Sequence, residues 1–195
     1  MKNVLNIGLR LTLIAVLAAA ALGYTNYITK GPIEEQKRIT KELTMAQVLP
    51  EADHFDLICS EEDDTVPAEW QDRIVEASAG YAGDTLVGYA VTASQKGFGG
   101  PVNVMVGLDV SGSFTGASIL VHNETPGLGA EAAKPFFIDQ YNGKTAPLSV
   151  IKSGSPGEDE IQAITGATIT SKAVTDAVNN AAGYVSALGE GSDGQ

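Results

Sequence analysis

Between Leu11 and Leu22 the only polar side chain is Thr12, and from Val4 to Tyr27 the only charge is Arg10. A segment of that length and composition satisfies its backbone polar groups in lipid only as a helix, so it fixes one element before any other residue is considered. Two readings fit it. Lys2 and Arg10 ahead of an apolar core with small residues at Ala18 to Ala21 have the form of a cleavable signal peptide. A retained anchor fits equally if Arg10 snorkels to headgroups on one side and Tyr24 and Tyr27 mark the other interface. Lys30, Lys37, Arg38 and Lys41 follow the segment, so the positive charges on its two sides leave its orientation open.

The remainder has room for one domain of ordinary size. Lysines and arginines number 12 against 24 acids, a formal charge of −12, which argues against a nucleic-acid surface. Cys59 is the only cysteine, so an intrachain disulfide and a multi-cysteine zinc or iron-sulfur site are excluded. It reads as a small buried hydrophobe. Residues 29–50 read as a connecting helix, with Pro32 to Val48 helical and Pro50 ending it. The acids Glu61 to Asp64 read as a solvated loop.

From Ile74 the pattern becomes β. Ile74 to Ala79, Thr85 to Ser94, Val102 to Asp109 and Phe114 to Val121 are strand candidates joined by short Gly/Asp turns, which favours an antiparallel meander. Lys96-Gly97-Phe98-Gly99-Gly100-Pro101, between the second and third, is either a mobile hairpin tip or a place where backbone approaches a ligand. Ala130 to Gln140 reads as helical with a possible break at Pro135, and Leu148 to Lys152 as a strand. Residues 51–188 then form the main domain, and 189–195 have the composition of a disordered tail.

The stretch Ile164-Thr165-Gly166-Ala167-Thr168-Ile169-Thr170-Ser171 leads into apolar positions Ala173, Val174, Ala177, Val178, Ala181, Val185 and Leu188, which is helical spacing. Thr170 or Ser171 can cap that helix, leaving the Thr168 hydroxyl in the preceding turn, where free amides and the helix dipole favour an anion. An ordinary strand-to-helix connection uses the same residues, and spacing alone does not separate the two.

Thr165-Gly166-Ala167-Thr168-x-Thr170 resembles the flavinylation motif of the FMN-binding domain family, S/T-G-A-T-x-S/T, in which the last threonine of the G-A-T triplet is esterified to the FMN phosphate. Glu124-Thr125-Pro126-Gly127-Leu128-Gly129 is similar to a second signature of that family. Many members carry Asp where this chain has Gln162. The likeness runs from the apolar segment to the last helix and is nearest to the G subunits of Rnf electron-transport complexes. It is less near to the C subunits of sodium-translocating NADH:quinone oxidoreductases.

The resemblance implies an α+β fold, an antiparallel-rich sheet with packed helices, on one N-terminal transmembrane helix (residues 1–28). It implies covalent FMN on Thr168, with Thr165, Gly166, Ala167, Thr170, Glu124, Thr125, Gly127, Leu128 and Gly129 about the cofactor and Lys152 near the flavin or its phosphate. It further implies a flavin domain outside the cytoplasmic membrane, partner subunits of an Rnf complex coupling ferredoxin and NAD to sodium or proton movement, and a flavin transferase for maturation. Acid/base and turn-stabilising roles for Glu124 and His122 both stay open. No metal site and no nucleophile-base pair is evident, so the flavin would carry the chemistry. A membrane-anchored scaffold with an unmodified motif is the non-redox alternative.

Overall fold

The structure, a computed structural model, describes residues 2–192. The chain divides after Leu43 into two compact units.

The first unit is most of a single helix, α1 (Lys2–Val48). The expected separate connecting helix is instead continuous with the apolar segment, and Pro32 lies inside it. Ion pairs at helical spacing support the polar half: Arg38 with Glu35 at 2.8 Å and with Glu42 at 2.6 Å, and Lys30 with Glu34 at 3.7 Å. Thr25 and Thr29 return their hydroxyls to the carbonyls four residues earlier, at 2.9 Å each. By length and composition α1 can cross a membrane.

In the second unit five strands form an antiparallel sheet in sequence order, β1 (His54–Ser60), β2 (Ile74–Ala82), β3 (Thr85–Lys96), β4 (Pro101–Asp109) and β5 (Phe114–Val121). The last four are the expected meander. β1 was not expected; its run Phe55 to Cys59 breaks period-two burial where the register with β2 shifts between Leu57 and Cys59. A 3₁₀ turn (Gly129–Ala133), the short helix α2 (Pro135–Ile138) and a second 3₁₀ turn (Asp139–Tyr141) follow, so Pro135 starts a helix at its first position rather than interrupting one. Two parallel strands, β6 (Ser149–Ile151) and β7 (Glu160–Gln162), lead to the long helix α3 (Thr168–Ser192). Helix α3 runs through residues 189–192, which the composition assigns to a tail; 193–195 lie outside the described residues.

Alternation along β4 divides the core. Val102, Val104, Val106 and Leu108 face Val174, Ala177, Val178 and Ala181 of α3 in the main core. Cys59 is buried there, its sulfur 3.1 Å from the Tyr184 hydroxyl. The opposite face of the sheet packs Ala90 and Met105 against Met45 and Val48, the last turn of α1. That turn sits close because the strands offer glycines beneath it. A Cβ on Gly107 would lie 2.0 Å from the Val48 carbonyl oxygen, and one on Gly116 would lie 3.0 Å from the Val48 Cα. Thr115 donates its hydroxyl to the same Val48 carbonyl.

Gly107→Ala should therefore destabilise the domain by about 1–3 kcal/mol, the usual cost of overpacking. Chemical denaturation of the detergent-solubilised chain checks this; an unchanged midpoint would contradict the close approach.

Candidate flavin site at the first turn of helix α3

The antiparallel register sets two loops at one end of the sheet. Lys96 pairs with Pro101 across the β3–β4 hairpin, and Asn103 of β4 pairs with Val121 at the end of β5. The tip Gly97–Gly100 and the loop that leaves β5 are therefore neighbours. Helix α3 packs on β3 and β4 and brings its first turn to them.

Two turns of the same kind shape the loops. Leu128 N–H bonds the Thr125 carbonyl at 3.1 Å with Gly127 at φ +75°, and Ala167 N–H bonds the Ile164 carbonyl at 2.9 Å with Gly166 at φ +79°. Both are type II turns, whose third residue needs the positive φ that glycine supplies. They approach each other, with Leu128 Cδ2 3.2 Å from where a Gly166 Cβ would be.

Helix α3 begins at Thr168, earlier than a Thr170 or Ser171 cap requires. Those two hydroxyls are used elsewhere. Ser171 Oγ accepts the Ile164 N–H at 3.0 Å and donates to the Ala167 carbonyl at 3.0 Å, bracing the turn. Thr170 Oγ1 donates to Glu124 Oε2 at 2.6 Å. Since Ser171 N–H makes the first bond back to a carbonyl, that of Ala167, the amides of Thr168, Ile169 and Thr170 precede the helical ladder. Thr168 is half-buried at that end.

Glu124 joins these two loops to the first turn of α3. It is 7% exposed, accepts from Thr170 on one oxygen and takes the Gly99 N–H on the other at 3.0 Å. Burial pushes its pKa up, but the bonds from Thr170, Gly99 and the Phe98 backbone outweigh burial and leave the carboxyl below its ordinary value. The glycines around it leave room for the carboxylate: a Cβ on Gly97 or on Gly129 would lie 2.3 Å from one of its oxygens. This is a turn-stabilising role, and it explains why two of the glycines stand where they do.

Together these elements enclose a cavity of about 330 Å³ lined by Phe98, Glu124, Thr125, Leu128, Gly129 and residues 166–170. Gly166, Ala167, Thr168 and Thr170 are thus brought together with Glu124, Thr125, Leu128 and Gly129. Thr165 and Gly127 shape the turns but do not line the cavity, and neither does Lys152, which follows β6. Phe98 and Ile169, 72% and 56% exposed, are lining residues that the motifs did not single out. An aromatic side chain within a glycine-rich hairpin tip was the available signal for Phe98. Gln162 is clamped through its backbone by Gln140, which donates to its carbonyl at 3.3 Å and accepts its N–H at 2.8 Å.

The family models match on both halves: the FMN-binding domain over residues 97–183 and the RnfG N-terminal region over residues 1–48. The G subunit of the Na(+)-translocating ferredoxin:NAD(+) oxidoreductase complex of Acetobacterium woodii is 41% identical over 186 residues, covering 91% of this chain and 89% of the relative. The chain belongs to the family of Rnf-complex G subunits. The G subunit of the proton-translocating ferredoxin:NAD(+) oxidoreductase complex of Clostridium ljungdahlii is 34% identical, over 88% of this chain and 85% of its own. In solved structures, the C subunit of the Na(+)-translocating NADH-quinone reductase of Parabacteroides distasonis matches at TM-score 0.53 and 26% identity, over 69% of this chain and 76% of its own. The fold is accordingly the α+β FMN-binding domain, and the family membership agrees with a membrane-associated α1.

The residues fit FMN in kind. Apolar Phe98, Leu128 and Ile169 offer surface for an aromatic ring system, and first-turn amides with a hydroxyl offer donors for a phosphate.

Because the folded-state pKa of Glu124 is depressed below 4.5, its contribution to stability is full above the unfolded-state value and is lost as pH falls through the folded one. Glu124→Gln should be less stable than wild type at pH 7, with the gap closing as pH falls below about 4. Denaturation midpoints measured across that range check the sign; a constant gap would contradict it.

Proposed function

We propose that the chain is the covalent-FMN electron carrier of an Rnf-type membrane complex that couples electron transfer between ferredoxin and NAD to translocation of sodium ions or protons. The observation that supports this most is the position of Thr168, the motif threonine, as the first residue of α3 on the cavity wall. Bound FMN supplies the redox chemistry there; the chain binds, orients and shields it.

A covalent bond answers a specific electrostatic problem. No lysine or arginine lines the cavity, Glu124 adds a negative charge to it, and the chain as a whole carries −12. The amides and dipole of α3 favour a phosphate by only about 1–2 kcal/mol in partly buried geometry, which is little for a doubly charged ligand. A phosphoester at Thr168 Oγ1 makes retention independent of that balance. A threonine hydroxyl is a weak nucleophile without a neighbouring base. The lining residues include no histidine or lysine, and Glu124 is engaged with its own donors. The ester is therefore made by a separate flavin transferase.

The domain resides on the extracytoplasmic side, held by α1, where a dissociable cofactor would be lost. The other subunits of the complex are its electron donor and acceptor. The C-subunit alternative draws on a likeness at 26% identity, against 41% for the G subunit.

In cells that contain the transferase, the denatured wild-type chain should fluoresce as a flavoprotein in a gel, Thr168→Ala should not, and Thr168→Ser should retain at least part of the signal. A fluorescent Thr168→Ala chain, or a dark wild type, contradicts the covalent assignment. In right-side-out vesicles, added protease should remove the domain without lysis; protection until lysis contradicts the assigned side.

A further inference from the structure

Glu124 has a property that its role as a tie between loops does not require. The carboxylate is buried, lines the cavity and takes its hydrogen bonds from neutral donors, the Thr170 hydroxyl and the Gly99 and Phe98 amides, with His122 as a weaker electrostatic neighbour. It enters no ion pair with a lysine or arginine among the described residues. A buried carboxylate is ordinarily paired with a cation or protonated. Here the hydrogen bonds outweigh burial and hold its pKa below the ordinary carboxylate value. Hydrogen bonding by neutral groups spreads the charge without cancelling it.

We propose that Glu124 sets the redox potential of the site: its uncompensated negative charge in the cavity wall disfavours gain of an electron by the group bound there and so keeps that group's midpoint low. The proposal rests on FMN occupying this cavity. Reduction adds negative charge to the flavin, and a fixed charge of the same sign in a low-dielectric wall raises the energy of the reduced form more than that of the oxidised one. The same carboxylate holds the hairpin tip and the first turn of α3, so the charge is kept at a fixed place relative to the cofactor. A glutamine of equal size would hold the loops through one oxygen and lack the charge. That makes Glu124 a positioning residue with an electrostatic effect, not a proton donor.

The test is a redox titration of the full-length, flavin-bearing chain in detergent, after mass spectrometry has established the adduct on Thr168 in every variant. Glu124→Gln should titrate at a more positive potential, with the reduced-to-oxidised ratio at the wild-type midpoint raised roughly tenfold. Glu124→Asp keeps the charge and should stay near wild type. Thr170→Val removes one tie and keeps the charge. If it shifts the midpoint as far as Glu124→Gln does, loop geometry is responsible and the proposal is overturned. A second substitution leaves the carboxylate untouched: His122, whose Nδ1 accepts the Glu124 N–H at 3.3 Å, stands beside it. His122→Lys sets a permanent cation there and should shift the midpoint in the same direction by less, which keeps the question answerable if Glu124→Gln does not fold. Wild-type potentials in both charge variants overturn the proposal. Absence of any adduct in the wild type is a different failure, that of the flavin assignment itself.

Discussion

A carboxylate buried to 7% exposure must be given donors or give up its charge. In this domain the demand is met from two separate places in the chain, the β3–β4 hairpin and the first turn of α3, which are thereby tied to the loop after β5 that carries Glu124. The cavity is the space left between them. Its shape thus depends on Glu124 more directly than on any residue facing its open side. Gly97 and Gly129 follow from the same constraint, since any side chain at either position would enter the volume of the carboxylate.

The sheet beneath supplies rigidity. Its strands are long, paired in sequence order and covered on both faces, by α3 on one and by the last turn of α1 on the other. Asn179 of α3 exchanges two 2.8 Å hydrogen bonds with the backbone of Leu148, so the long helix is also fixed to the segment that enters β6. Such a scaffold suits a redox cofactor, whose function needs a constant distance and a constant polar environment more than it needs motion.

Much of this was legible in the sequence, for identifiable reasons. The four strands from Ile74 onward have clear alternation and turn residues between them, and the apolar stripe of α3 has an unbroken helical period. Thr168 stood out through the motif. What was not legible depended on tertiary contacts. β1 has a register shift that spoils its alternation. The start of α3 moved to Thr168 because the hydroxyls of Thr170 and Ser171 found partners in Glu124 and in the turn residues, which no local capping rule anticipates. Pro32 lies within one continuous helix, although a proline between apolar and charged segments reads naturally as a boundary. Phe98 and Ile169 reach the cavity only because the hairpin register and the helix start place them there.

The most direct test of the flavin site is a high-resolution experimental structure of the protein purified from its native membrane with its flavin in place. The expected result is a phosphate joined to Thr168 Oγ1 beside the first-turn amides of α3, with the ring system against Phe98, Leu128 or Ile169 and Glu124 still bonded to Thr170 and Gly99. A flavin attached to another residue, or a phosphate away from the first turn of α3, would contradict the assignment.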